Sequence, residues 1–212
     1  MTNQTVDAAV LELMASRICH DLISPVGAVN NGVEFLQEDM GGDPGEAVAL
    51  IAMSAQSAGA RLQVFRLAYG TGGRDSTIKP EDVHKTFEGL LVIEEKVKQN
   101  WDPFTIFTGY DRPEGFSKIL ICGLLLTHEA LPKGGVISVS HNNGVTTITG
   151  TGTDATIRPQ VEQALKRDLD VSVIDPRLVH PYICGVMAAQ YDFSLTLSEQ
   201  AEGRVSFRIS AL

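Results

Sequence analysis

His20 and Asp21 are the pair on which nucleophilic chemistry can be argued. A neutral imidazole nitrogen is a competent nucleophile near pH 7. A neighbouring carboxylate can accept a hydrogen bond from one ring nitrogen and hold the tautomer that leaves the other lone pair free. A lone histidine is more often packed or simply solvated, and Asp21 alone suits an ordinary exposed helix carboxylate. The company of His20 argues for more. Ser16, Ser24, Gly27, Asn31 and Glu34 share one helical strip with it. Small residues there cover a helix poorly but let another protein's helix come close. Gly27 costs about 1 kcal/mol relative to Ala in a helix interior. Pro25 removes a backbone donor and collides with the carbonyl four residues back, so a kink is expected beside His20. Alternatively, Pro25-Val26-Gly27 ends one helix and starts another.

Other reactive residues form no recognisable set. His84, His128, His141 and His180 lack metal-ligand spacing, and His128-Glu129 does not extend into a His-Glu-x-x-His motif. No metal site is expected. Cys19, Cys122 and Cys184 are scattered and odd in number, which fits reduced thiols better than a disulfide or zinc framework. No Gly-x-x-x-x-Gly-Lys-Ser/Thr loop is present.

The elements that would position His20 follow from periodicity. Leu11, Met14, Ile18, Leu22, Val26, Val29, Val33 and Leu36 recur at steps of three or four. At about 100° per residue they form one stripe, and His20 points away from it. A second helix over 46–67 carries Val48, Ile51, Ala55, Leu62 and Phe65, after a break at Gly41-Gly42-Asp43-Pro44-Gly45. Two helices cannot bury both stripes between themselves, so two hairpins pairing into a four-helix bundle are expected, making a homodimer. The Gly-rich segment 70–76 reads as a hinge. Beyond it a strand is predicted over 96–102, a helix over 114–131 and a hairpin of 136–140 with 145–149 through Asn142-Asn143-Gly144. Helices over 158–167 and 176–190 and strands over 193–197 and 205–210 complete the set. The fold class is α+β, with a helical hairpin in 1–72 and an α/β sandwich-like domain in 73–212.

Composition bounds the function. The 212 residues carry a formal charge of −9, with 43% apolar and 20% charged residues. That is globular composition, against disorder. The acidic balance argues against a general nucleic-acid grip. The longest apolar runs, such as 119–126, are far short of the roughly 20 residues a membrane span needs. With no basic-then-apolar leader, a cytoplasmic protein is expected.

Ser16-Arg17-Ile18-Cys19-His20-Asp21-Leu22-Ile23-Ser24-Pro25 resembles the phosphoacceptor box of two-component histidine kinases: His, an acidic neighbour, an apolar residue, then Pro five after the His. The run 17–36, with Asn30-Asn31-Gly32-Val33-Glu34, is similar more specifically to the ChpT-type histidine phosphotransferases. So is Glu129-Ala130-Leu131-Pro132-Lys133-Gly134-Gly135, and the likeness in length and order of elements spans essentially the whole chain. The resemblance implies a dimer with a central four-helix bundle and a second domain shaped like the kinase ATP-binding domain. It also implies that His20 takes a phosphoryl group from the receiver aspartate of a hybrid histidine kinase (CckA-like) and passes it to response regulators (CtrA-like, CpdR-like). Asp21 would orient His20, and Arg17, Ile23, Ser24, Gly27, Asn30 and Asn31 would meet the receiver. Arg17 could help neutralise phosphate or be an ordinary surface arginine.

Phosphoryl transfer needs in-line placement and charge neutralisation, and the Mg²⁺ is expected from the partner receiver. ATP is not expected to bind. The kinase pattern needs an asparagine-bearing helix for magnesium, absent from 118–129. It also needs an Asp-x-Gly-x-Gly loop, where this chain has Ile148-Thr149-Gly150-Thr151-Gly152. Two other readings stay open: a receiver-docking module without transfer, and a kinase that labels His20 from ATP alone.

Overall fold

The computed structural model describes residues 7–37, 44–70 and 78–212. Most of the predicted break at 41–45 and of the hinge at 70–76, with the boundary between 72 and 73, lies outside the described residues. Helix α1 spans Ala8–Gln37 and α2 spans Pro44–Ala68. Asp7 starts α1 by accepting from the Ala9 amide at 2.9 Å, as an N-capping carboxylate does. The helix continues through Pro25. The reading in which Pro25-Val26-Gly27 separates two helices is therefore set aside, and the carbonyl of Asp21 loses the amide partner it would have four residues on.

The two helices pack along a close seam. A Cβ at Gly32 would stand 2.6 Å from Ile51 Cγ1, so only glycine lets the backbones approach there. Met14 is buried, yet Leu11, Val26, Val33 and Leu36 of the same stripe remain exposed, as do Val48 and Leu62 on α2.

The second unit is a five-stranded sheet with helices on one face. Helices α3 (Pro80–Glu94) and α4 (Pro103–Ile106) go beyond the segments predicted above. Strand β1 (Val97–Gln99) and helix α5 (Phe116–Glu129) follow. Strands β2 (Gly135–Asn142) and β3 (Val145–Thr151) form the expected hairpin. Asn143 and Gly144 turn it with φ of 52° and 77°, the positive values a two-residue hairpin turn requires. Helix α6 (Val161–Lys166) is shorter than expected. Helix α7 (Val179–Gln190) and strands β4 (Phe193–Ala201) and β5 (Arg204–Ala211) close the chain. The strand order is β1-β2-β3-β5-β4, parallel only between β1 and β2.

Helix α5 lies at the centre, touching β2, β3, β4 and β5 on one side and α2, α3 and α7 on others. Its residues from Phe116 to Thr127 are all buried. Among them is Lys118, whose Nζ donates to the carbonyls of Ala68 at 2.9 Å and Gly70 at 2.7 Å. A cation placed on the last carbonyls of α2 complements that helix end and fastens the hairpin to the second unit.

Candidate functional site

His20 stands on α1 with 87% of its side chain open to solvent, and Asp21 Oδ1 lies 3.4 Å from its Nδ1. That contact is at the long edge of hydrogen bonding, a spacing common where a site tightens only on meeting its partner. If Nδ1 carries the proton, Nε2 is left as the outward lone pair. Ile23, Ser24, Asn30 and Asn31 are exposed along the same helix, and Gly27 is half-buried with no atom within 4 Å of a Cβ built on it.

Arg17 goes elsewhere. Only 19% of its side chain is exposed, and its Nη2 donates to Glu129 Oε1 while Nη1 donates to the carbonyl of Pro176 at 3.3 Å. It is therefore turned into the second unit and away from solvent. Burial opposes its charge, but Glu129 chiefly outweighs that and holds the guanidinium above its ordinary value. Glu129 in turn lies 2.8 Å from Nδ1 of the fully buried His180. Burial alone would push the Glu129 carboxyl up, yet His180 and Arg17 together pull it down to about 2. A second chain runs parallel: Arg61 of α2 donates to Glu94 of α3 at 2.7 Å, and His128 Nε2 of α5 sits 2.9 Å from the same carboxylate. The His128 hydrogen bond, opposed by burial and helped by Arg61, lowers Glu94.

His20 and Asp21 lie on a crest between two depressions. On one side a groove of about 630 Å³ runs along α2 and α3, where Leu50, Met53 and Val92 are exposed. On the other, a cleft of about 700 Å³ separates α1 from the second unit, and Lys96, Arg158 and Arg177 line its far wall. Val92, Lys96, Arg158 and Arg177 were not legible in the sequence, because nothing local in 92–96 or 158–177 signals closeness to residue 20. Among the described residues no group of three or more His, Cys, Asp or Glu is placed to hold a metal. The segment 148–152 is not a loop. Ile148 is fully buried in β3, a Cβ at Gly150 would stand 2.7 Å from Thr127 Cγ2, and one at Gly152 would stand 2.2 Å from the Gly134 carbonyl. Close packing accounts for both glycines.

Comparison with known proteins agrees with this arrangement. The family model for the histidine phosphotransferase C-terminal domain matches residues 80–203. Protein phosphotransferase ChpT of Brucella abortus (strain 2308) is 32% identical over 203 residues, covering 94% of this chain and 90% of that protein. A solved bacterial phosphotransferase superposes with a TM-score of 0.76 at 28% identity over 98% of each chain. The histidine kinase ThkA, solved in complex with the response regulator protein TrrA, shares the fold at a TM-score of 0.51 and 13% identity, over 96% of this chain and 63% of that one. A helical hairpin carrying an exposed histidine, joined to a kinase-like α/β unit, defines a two-component phosphotransfer class. Within it, the chain belongs to the histidine phosphotransferase family.

Proposed function

We propose that His20 is the phosphoacceptor of a reversible relay between receiver domains. The supporting observation is an 87% exposed imidazole whose Nδ1 faces Asp21, set on a crest between two docking depressions. The Nε2 lone pair attacks the phosphorus of a receiver aspartyl phosphate. The N–P bond forms as the P–O bond breaks, and the aspartate leaves as carboxylate. A second receiver aspartate reverses the step and restores the imidazole. Mg²⁺ held by each receiver would neutralise charge on the transferring oxygens, and ATP has no part in the relay. The donor would be the receiver of a CckA-like hybrid kinase and the acceptors CtrA-like and CpdR-like regulators. Ile23, Ser24, Gly27, Asn30 and Asn31 form the docking strip, while Lys96, Arg158 and Arg177 present positive charge to an acidic receiver on a chain whose net charge is −9.

The working unit is a homodimer. Leu11, Val26, Val33 and Leu36 with Val48 and Leu62 leave apolar surface uncovered on both helices, and a second hairpin laid against it completes a four-helix bundle. Among the described residues no helix is long and apolar enough to cross a membrane. The test is incubation with a phosphorylated receiver followed by mapping of acid-labile label. Label on His20, abolished in His20→Ala while receiver binding persists, is the expected result. Unchanged signalling through His20→Ala leaves a docking module, and labelling by ATP alone replaces the relay with a kinase.

A further inference from the structure

The reading of His20 as phosphoacceptor leaves unexplained why Asp21 faces His20 and not its more natural neighbour. Arg17 and Asp21 are four residues apart on α1, the spacing at which opposite charges on a helix surface pair. Both line one cavity of about 160 Å³ beneath the hairpin, together with Arg61, Glu94, His128 and Glu129. Two guanidinium groups thus border the same space as the Asp21 carboxylate. Neither stands within ion-pair distance of Asp21, although the Asp21 charge still acts on Arg17 through space. Arg17 is bound to Glu129, and Arg61 to Glu94.

We infer that Glu129 and His180 are positioning residues for His20: they hold the Arg17 guanidinium on the second unit and so leave Asp21 to the imidazole. The inference rests on the role assigned to His20 and concerns how that site is kept competent. Glu129 is suited to win the competition because it is already fixed. His180 is fully buried on α7, and its Nδ1 meets the same Oε1 that takes the Arg17 hydrogen bond. A proton on Nδ1 donates to that carboxylate and leaves Nε2 as the bare nitrogen; Nε2 and Arg17 Nε are among the buried atoms without a hydrogen-bond partner in the described residues. A carboxylate locked by one donor loses little freedom on taking a second, whereas exposed pairs give up side-chain freedom for little gain. Glu94, held by His128, does the same for Arg61 on the opposite wall. Were Arg17 released, its nearest carboxylate on α1 would be Asp21. The His20 ring would then lose the acceptor that favours the Nδ1-protonated tautomer, and with it the free Nε2 lone pair.

The experiment uses the full-length chain with Glu129→Gln, which keeps the shape and removes the charge. ¹⁵N NMR of the His20 ring reads the tautomer ratio, and single-turnover transfer from a phosphorylated receiver reads the rate at saturation. The Nδ1-protonated fraction is expected to fall and transfer to slow about 10-fold, with receiver affinity changed less than about twofold. Adding Arg17→Gln to Glu129→Gln removes the stray cation and is expected to restore both readouts. An unchanged tautomer ratio, or a double variant as slow as Glu129→Gln, overturns the inference. If Glu129→Gln fails to fold, Glu94→Gln, which frees Arg61, must shift the ratio in the same direction or the inference fails. Absence of label on wild-type His20 would remove the relay reading itself, while the tautomer ratio still decides the positioning claim.

Discussion

Helices α1 and α5 are both rich in apolar residues but carry them in opposite ways. In α5 every residue from Phe116 to Thr127 is buried, with neighbours on all sides. In α1 only Val10, Met14 and Gly32 are buried, and four members of its apolar stripe face solvent. A helix apolar all round belongs inside a core, whereas one apolar stripe left open calls for a partner. The difference separates tasks: α5 supplies the rigid centre, and α1 holds the proposed phosphoacceptor on an open surface.

The sharpest break in that comparison is a paired substitution. Leu124→Ala, at a fully buried position, should cost about 2–5 kcal/mol through lost burial and a cavity. Its effect, read by urea unfolding, should not depend on protein concentration. Val26→Asp touches a position that is 49% exposed in the single chain, where a surface change alone is worth within about 0.5 kcal/mol. If the second hairpin covers it, light scattering at micromolar protein should show half the wild-type mass. A wild-type chain already monomeric there ends the bundle proposal.

A smaller effect sharpens the functional side. A side chain at Gly27 has open space around its Cβ, and replacing glycine in a helix gains up to about 1 kcal/mol. Gly27→Leu should therefore be slightly more stable in thermal unfolding, yet transfer to a receiver should fall about 10-fold because the strip beside His20 is blocked. Undiminished transfer would remove Gly27 from the docking surface.

What the sequence made legible was local. The stripe on α1, the outward setting of His20 and the Asn143-Gly144 turn depend on neighbours within a few residues. The helix signals of α3 were present too: Pro80 at its start, Glu81 and Asp82 in the first turn, then Val83, Phe87, Leu90 and Leu91 at helical spacing. Contacts between distant segments were not legible. Arg17 pairs with Glu129 across 112 positions and Glu129 with His180 across 51. Hence Arg17 reads in sequence either as a phosphate-neutralising residue or as an ordinary surface arginine, and in the fold it is a largely covered clasp on Glu129. Likewise the Gly150-Thr151-Gly152 spacing is a weak phosphate signal in sequence, and in the fold both glycines answer to the close approach of Thr127 and Gly134.

A change of pH separates the clasp from the core. Glu129 drops from 4.5 to about 2 in the folded chain. On acidification the unfolded chain takes up this proton first, so the ion pair's contribution is complete above pH 4.5 and is lost as pH falls toward 2. Glu94, also lowered by His128 and Arg61, acts in the same direction. Urea midpoints measured from neutral to acid pH should show Glu129→Gln below wild type at pH 7, with the gap closing through that window. Leu124→Ala should keep a constant gap, because the missing methyl groups bind no protons. A Glu129→Gln gap equally constant would mean that the Arg17–Glu129–His180 chain contributes shape and hydrogen bonding but no net charge pairing, and the clasp would then have to be argued as packing.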